Sequence, residues 1–309
     1  MISAMKDVVP GGGFQQFQSI PPLGATLDPE GCTFAVFSQH ARSIWLCLYD
    51  GDEEEILRKR LEQRAGNVWF THVRGVGPGQ FYGFRAEGPE NPLPGSCFNS
   101  RKLLIDPYAR CLNRTLEWDN RLMWIGHYSD VDSAALVPKS VVVRDEFDWQ
   151  GVTRPVVSSL SRVIYEVHVK GFTRLHPEVP EEYRGTYLGL CSPAIIDYLK
   201  SLHVTTIQIM PCMAFMSEGR LRDMGLTNFW GYNPINFFAP DRRYAIDDPI
   251  REFKTMVRTF HQAGFEVILD VVYNHTAEAG LDGGMFCFMG LDSLHYYRFT
   301  PDRRHLLNY

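Results

Sequence analysis

Near residue 162 the periodicity of this sequence changes, and that change limits what the chain can fold into. From there on, apolar runs of strand length alternate with segments whose apolar residues recur at helical spacing. Arg162–Val169 reads as a strand. Ser192 and Pro193 open a helix with Ile195, Ile196, Leu199 and Leu202 on one face, and Val204–Met210 is a second strand. Asp248 and Pro249 open another helix, with Ile250, Phe253, Val257 and Phe260 on one stripe and Gly264 closing it, and Phe265–Val272 is a third strand. Strand, helix and strand in this order is parallel β/α construction. A closed barrel of this kind takes eight strands and about 250 residues, and the stretch after the first 155 residues offers three steps.

The region before it is built differently. Thr33–Phe37, Ser43–Tyr49, Asn67–Phe70, Gln80–Ala86 and Ser140–Val143 are short apolar runs separated by Gly, Pro and Asp. Several alternate apolar with polar residues, which predicts an antiparallel β-sandwich. No four-turn helix is expected there, and the Pro/Gly/Asn-rich stretch 88–94 reads as an ordered loop.

With 309 residues, 45% of them hydrophobic, the chain can bury a sizeable core. A net charge of -5 without a basic run gives no footprint for nucleic acid, and no apolar segment is long enough to span a bilayer. Met1–Pro10 lacks the apolar stretch of a secretory signal, so a cytoplasmic location is expected. The seven cysteines (Cys32, Cys47, Cys97, Cys111, Cys191, Cys212, Cys287) show no paired spacing, which fits reduced buried thiols better than a zinc site or a reactive thiol.

In β/α folds, chemistry collects at the carboxyl ends of strands. The third strand delivers Asp270, Asn274 and His275 to that end. Two readings stand side by side: an active-site rim, or an Asp that caps a turn beside a structural His. The loop Asn228–Pro240 is long, aromatic and rich in Asn. It reads either as a sugar platform, with rings stacking on pyranose faces and Asn and His binding hydroxyls, or as a loop packed on itself. Trp45 and Trp69 lie inside strand patterns and are read as core residues, with sugar stacking as the alternative.

Four segments, Leu103–Ala109, Val163–Thr173, Phe229–Ala245 and Asp270–Thr276, together resemble the isoamylase-type glycogen debranching enzymes of the α-amylase superfamily of glycoside hydrolases. The resemblance runs in order from about Pro22 to Tyr309. It implies an N-terminal all-β sandwich, related to carbohydrate-binding modules, over residues 1–155. Residues 156–309 would then be the first three β/α steps of a (β/α)8 TIM barrel, truncated. By this resemblance His275 would hydrogen-bond the sugar on the non-reducing side of the scissile bond, and Tyr232 would stack on it. Asp270 and Asn274 would hold the shape of the site. No metal and no cofactor are expected, because debranching enzymes of this type generally lack the calcium site that the position of Asn274 serves in related amylases.

The implied reaction is hydrolysis of α-1,6 branch linkages in glycogen or limit dextrin, with a branched α-glucan as partner. Retaining glycosidases need two carboxyl groups about 5 Å apart, and in the family these follow later strands, so no catalytic residue is assigned in this chain and it is expected to be inactive alone. Glu166 sits within the first strand; Glu178, Glu218 and Glu278 fall in polar loops and read as solvated surface charge. The alternatives are a glycan-binding or vestigial protein, or part of a branching or maltooligosyl trehalose hydrolase enzyme. A three-stranded parallel sheet has two open edges, from which self-association is expected. His203 stands where the family usually has Gly, and Met213 and Met289 where it commonly has His and Arg.

Overall fold

The computed structural model describes residues 20–281 and 283–307. The readings of Met1–Pro10 and of the terminal Asn308 and Tyr309 lie outside these described residues. Two antiparallel sheets come first, from β1 (Gly24–Leu27), β2 (Gly31–Phe37), β3 (Ser43–Tyr49), β4 (Glu55–Arg60), β5 (Gln63–Ala65), β6 (Val68–Arg74), β7 (Phe81–Glu87) and β8 (Ser140–Val141). One sheet runs β1-β2-β6-β5 and the other β4-β3-β7-β8. Their facing sides interdigitate through Phe34 and Val36 from the first sheet and Ile44, Leu46, Leu48, Tyr82 and Phe84 from the second. Trp69 is part of this core, and its Nε1–H donates to the Ser38 carbonyl at 2.8 Å.

The central strand β3 is buried on both sides. Its other face, Cys47 and Tyr49, packs with Leu103 and Ile105 and then with Ala214, Ile235, Ala239 and Phe286–Phe288. The second sheet is therefore a middle layer between its sandwich partner and the parallel unit, which is why Ser43–Tyr49 reads as a near-continuous apolar run. β4 was invisible to the same reading for the opposite reason: as an edge strand with all but one of its six residues exposed, it has no apolar face to show.

The parallel unit comprises β9 (Ile164–Val167), α1 (Val169–Thr173), α2 (Pro193–Ser201), β10 (Thr206–Ile209), α3 (Gly219–Asp223), α4 (Pro249–Gln262), β11 (Glu266–Leu269) and α5 (Phe288–Tyr296). Its sheet has the order β11-β10-β9, with all pairings parallel. Asp248 caps α4, accepting from the backbone N–H groups of Ile250 and Arg251, and Pro249 follows at the first helical position. Ser192 precedes α2 but makes no side-chain cap, and Leu202 lies past the end of that helix with 43% of its surface exposed. On α4 the fully buried line is Glu252, Met256 and Phe260, with Ile250, Phe253 and Val257 half-buried beside it. The expected stripe is rotated because the Glu252 carboxylate is drawn inward, accepting from the N–H groups of Ile246 and Asp247 at 2.7–3.0 Å.

Helices cover one face of the parallel sheet. Val167, Ile207 and Ile209 meet Ile195, Leu199, Met256 and Phe260 there. The residues alternating with them, Ile164, Glu166, Gln208 and Ile268, project to the other face, where Ile164 is 51% and Ile268 39% exposed. In a closed β/α barrel that face is interior and is filled by side chains from all the strands.

Two of the motif segments hold the sandwich to the parallel unit. Asp106 is fully buried; it accepts from the Tyr82 hydroxyl and the Tyr108 N–H, both at 2.8 Å, while Asn236 Nδ2 donates to its carbonyl at 3.1 Å. Tyr108 stacks on Phe238 at 5.4 Å between ring centroids. Burial pushes the Asp106 carboxyl up to about 6, against the pull of the Tyr108 and Tyr82 hydrogen bonds. The folded state thus keeps a proton that the unfolded chain releases near pH 4, so this contribution to stability is greatest below that and is lost as the pH rises to about 6. The difference in unfolding free energy between the native chain and Asp106→Asn is expected to shift against the native chain by about 3 kcal/mol across that window. Urea melts at half-unit pH steps measure it, and parallel curves for the two proteins would refute it.

Candidate functional site

Asp270 directly follows β11, and its N–H donates to the Ile209 carbonyl at 2.9 Å, extending the ladder one residue past the strand. That places its carboxylate at the carboxyl end of the sheet, where the Tyr232 hydroxyl donates to Oδ2 at 2.6 Å. Burial, then the hydrogen bond and charge of Asp270 and the charge of Glu166, push the Tyr232 hydroxyl up to about 12, so it remains a donor at neutral pH. His275 contacts the same residue from the other side, its Nε2–H donating to the Tyr232 carbonyl at 2.9 Å. Its Nδ1 is buried and has no hydrogen-bond partner among the described residues. Asn274 is exposed in the same turn. Tyr232, Asp270 and His275 are thus brought together by one strand end and one loop; Asn274 borders them.

The conformation of the loop depends on Gly231. Its φ is +84°, and a Cβ there would lie 2.5 Å from the Pro211 carbonyl oxygen. The loop asparagines serve the backbone. Asn233 Nδ2 donates to the Met216 carbonyl, and Asn236 Oδ1 accepts from Phe238 and Ala239 while its Nδ2 reaches Asp106. Asn228 Oδ1 accepts from Gly231 N–H. The hydroxyl-binding role read for these residues from composition is therefore replaced by loop anchoring. Phe229, Trp230, Phe238 and Tyr273 are all exposed; Phe229 and Phe238 each stack one face, on His168 and Tyr108 respectively, while Trp230 is 63% and Tyr273 66% exposed.

Two residues without an assigned role complete the local picture. His168, at the end of β9, stacks on Phe229 at 4.0 Å and 7°, accepts the Gly171 N–H on Nδ1 and donates from Nε2 to the Phe229 carbonyl at 2.5 Å. Burial lowers its pKa, consistent with a neutral ring that clamps the aromatic loop. The other is Glu278, and here the surface-charge reading is wrong. Its side chain is fully buried and binds the backbone N–H groups of Phe286, Cys287 and Met289 and the Tyr297 hydroxyl. Residues 285–291 fold back over the carboxylate, and local sequence gives no sign of that.

Comparison with known proteins fits this geometry. The family profile for carbohydrate-binding module 48 (isoamylase N-terminal domain) matches residues 22–109, and that for the α-amylase catalytic domain matches residues 168–280. The glycogen debranching enzyme of Yersinia enterocolitica is 46% identical over 286 residues, and that of Yersinia pseudotuberculosis is 44% identical over 288. In order along its length the chain is similar to an isoamylase N-terminal domain followed by the start of an α-amylase catalytic domain. It spans about 43% of the length of these two relatives, which in turn match 91% of it. Among solved structures, the pullulanase of Paenibacillus barengoltzii in complex with maltohexaose and α-cyclodextrin superimposes with a TM-score of 0.70 at 25% identity, over 91% of this chain and 42% of that one. The catalytic module of the glycogen-degrading pneumococcal virulence factor SpuA gives 0.70 at 26% identity, over 93% and 41%.

One departure from the isoamylase pattern acquires a physical reading. His203, standing where glycine is usual, has φ +57°, a left-handed conformation that glycine adopts freely and other residues at a cost of about 1 kcal/mol. Met289 is fully buried in the sandwich core beside Glu278. Met213 packs against the core of the parallel unit.

Proposed function

We propose that this polypeptide supplies the substrate-holding side of a glycogen debranching site, binding a branched α-glucan through Tyr232, Asp270, Asn274 and His275. The convergence of Tyr232 and His275 on the end of β11, with the Tyr232 hydroxyl on Asp270, carries this reading. The exposed rings of Trp230 and Tyr273 add apolar surface of the kind that stacks on pyranose faces. Hydrolysis of α-1,6 links with retention would use a carboxylate pair from outside these 309 residues, so binding without turnover is expected. Residues 1–155 would act as the carbohydrate-binding-module-like sandwich and 156–309 as the barrel part, in the cytoplasm. Among the described residues no helix is long and apolar enough to cross a membrane.

The test is retention of the purified 309-residue chain on an immobilised branched glucan, with reducing ends assayed in parallel. Retention is expected, with a loss of about tenfold in affinity for Tyr232→Ala and no release of reducing ends. Release of linear chains would overturn the assignment of catalysis to residues elsewhere; failure to bind would overturn the holding role.

The exposed face around Ile164 and Ile268 and the outer edges of β9 and β11, unpaired among the described residues, favour self-association of this polypeptide. Sedimentation at micromolar concentration is expected to give a mass above the 35.4 kDa of one chain. A monomer at every concentration would rule this out.

A further inference from the structure

The sandwich and the last described helix meet at a cluster that the Tyr232 site does not include. The helix α5 is interrupted at Asp292, whose backbone is extended (φ −171°, ψ 82°), and the interruption turns its carboxylate under the tight turn that follows β2. There Oδ2 accepts the N–H groups of Gln39 at 2.8 Å and His40 at 2.9 Å, with the Ser38 hydroxyl at 3.4 Å. Oδ1 faces His40 Nδ1 at 2.9 Å. One helical turn on, His295 stacks on Phe37 at 5.4 Å and stands perpendicular to His40, with ring centroids 5.2 Å apart. One ligating atom from each of His40, Asp292 and His295 lies within 4.8 Å of the others.

We propose that His40, Asp292 and His295 form a binding site for a divalent transition-metal ion. Two imidazole nitrogens and one carboxylate oxygen are a donor set for zinc, nickel or copper; calcium and magnesium prefer oxygen. Metal–ligand bonds of about 2.0–2.2 Å at tetrahedral angles set ligand atoms about 3.3 Å apart. The His40–Asp292 pair at 2.9 Å needs to open by only a few tenths of an ångström, and the exposed His295 ring can rotate inward. The metal takes the place of the proton between Nδ1 and Oδ1, and the neutral His40 ring carries its proton on Nε2. Asp292 is fixed in advance: it is 1% exposed and its other oxygen is held by backbone N–H groups, the kind of outer support that orients a ligand. Remaining coordination positions face solvent past His295. Such a site ties the turn after β2 to α5, and so the sandwich to the segment that closes over Glu278. It is independent of the glucan reading.

The experiment uses the full 309-residue chain, stripped with a chelator and then titrated calorimetrically with zinc chloride, with cobalt absorption as a second readout. One ion per chain is expected, with a dissociation constant of about 1–50 μM and an upward shift in melting temperature that follows from binding to the folded state. Because His295 is exposed and bonds to neither partner, His295→Ala folds normally; it is expected to weaken zinc by about tenfold or more and to abolish the thermal shift. His305→Ala, outside the three-residue cluster, leaves both unchanged. Zinc affinity in His295→Ala equal to that of the native chain, or no saturable binding below millimolar zinc, would overturn the proposal.

Discussion

Glu278→Ala is expected to lower the unfolding free energy of this chain by about 3–5 kcal/mol, because it strips three buried backbone N–H groups of their acceptor. One carboxylate oxygen takes Phe286 N–H at 2.9 Å and Cys287 N–H at 2.8 Å, and the other takes Met289 N–H at 2.8 Å and the Tyr297 hydroxyl at 2.6 Å. Tyr297 retains a partner in Thr276 Oγ1 at 2.6 Å; the three amides have no other acceptor among the described residues. Burial raises the Glu278 pKa, opposed by the Phe286 N–H, the Tyr297 hydroxyl and the other two amides. The effect should spread beyond the turn, since Met285, Met289 and Leu291 sit in the sandwich core while Phe286, Cys287 and Phe288 sit in the seam core. Glu278→Gln keeps one acceptor oxygen and is expected to lose about half as much. Urea unfolding gives the comparison, with the slope unchanged and the midpoint moved; a loss below about 1 kcal/mol in the alanine variant would show that water reaches these amides.

Lys102→Met is the second large effect, expected at about 3 kcal/mol although the volume is nearly conserved. The Lys102 side chain is fully buried, and its ammonium group donates to the carbonyls of Arg121 at 2.9 Å, Tyr128 at 2.7 Å and Val131 at 3.0 Å. Among the described residues no carboxylate hydrogen-bonds it. The ammonium therefore acts as a built-in cation that gathers three turns of the 119–132 loop, helped by Asn99 Nδ2, which donates to Trp124 and Ser129. Desolvation lowers its pKa, with Asp132 and Asp130 opposing. Methionine fills the space but leaves the Arg121 and Val131 carbonyls without a donor and the Tyr128 carbonyl with only the Val131 N–H at 3.2 Å. Hydrogen exchange at residues 119–132 is expected to accelerate in the variant while the β2 and β3 amides stay protected; unchanged exchange in that loop would remove the anchoring role.

Much of the architecture is legible in the sequence. Parallel strands buried under helices, the Asp248–Pro249 helix start and the apolar runs of the sandwich all follow from periodicity, capping and burial, which are local or nearly so. The edge strands β4 and β5 were not legible, because solvent on both sides of a strand leaves no pattern to detect. In the site, the strand end could be read and so could the loop rich in rings. What the loop asparagines do could not, since Asn236 finds its partner 130 residues away at Asp106.

The sequence by itself determined the sandwich, the β/α order, the likeness to the isoamylases and the positions of Tyr232, Asp270, Asn274 and His275 along the chain. These rest on spacing and side-chain chemistry that neighbours in sequence carry. The tertiary structure alone decided that Glu278 is a buried anchor, that Lys102 serves as a cation for three carbonyls, and that His40 and Asp292 meet across 252 residues. The physical reason is common to all three. A polar side chain looks the same in sequence whether it faces water or a ring of backbone groups, and which it faces is fixed by how distant segments pack.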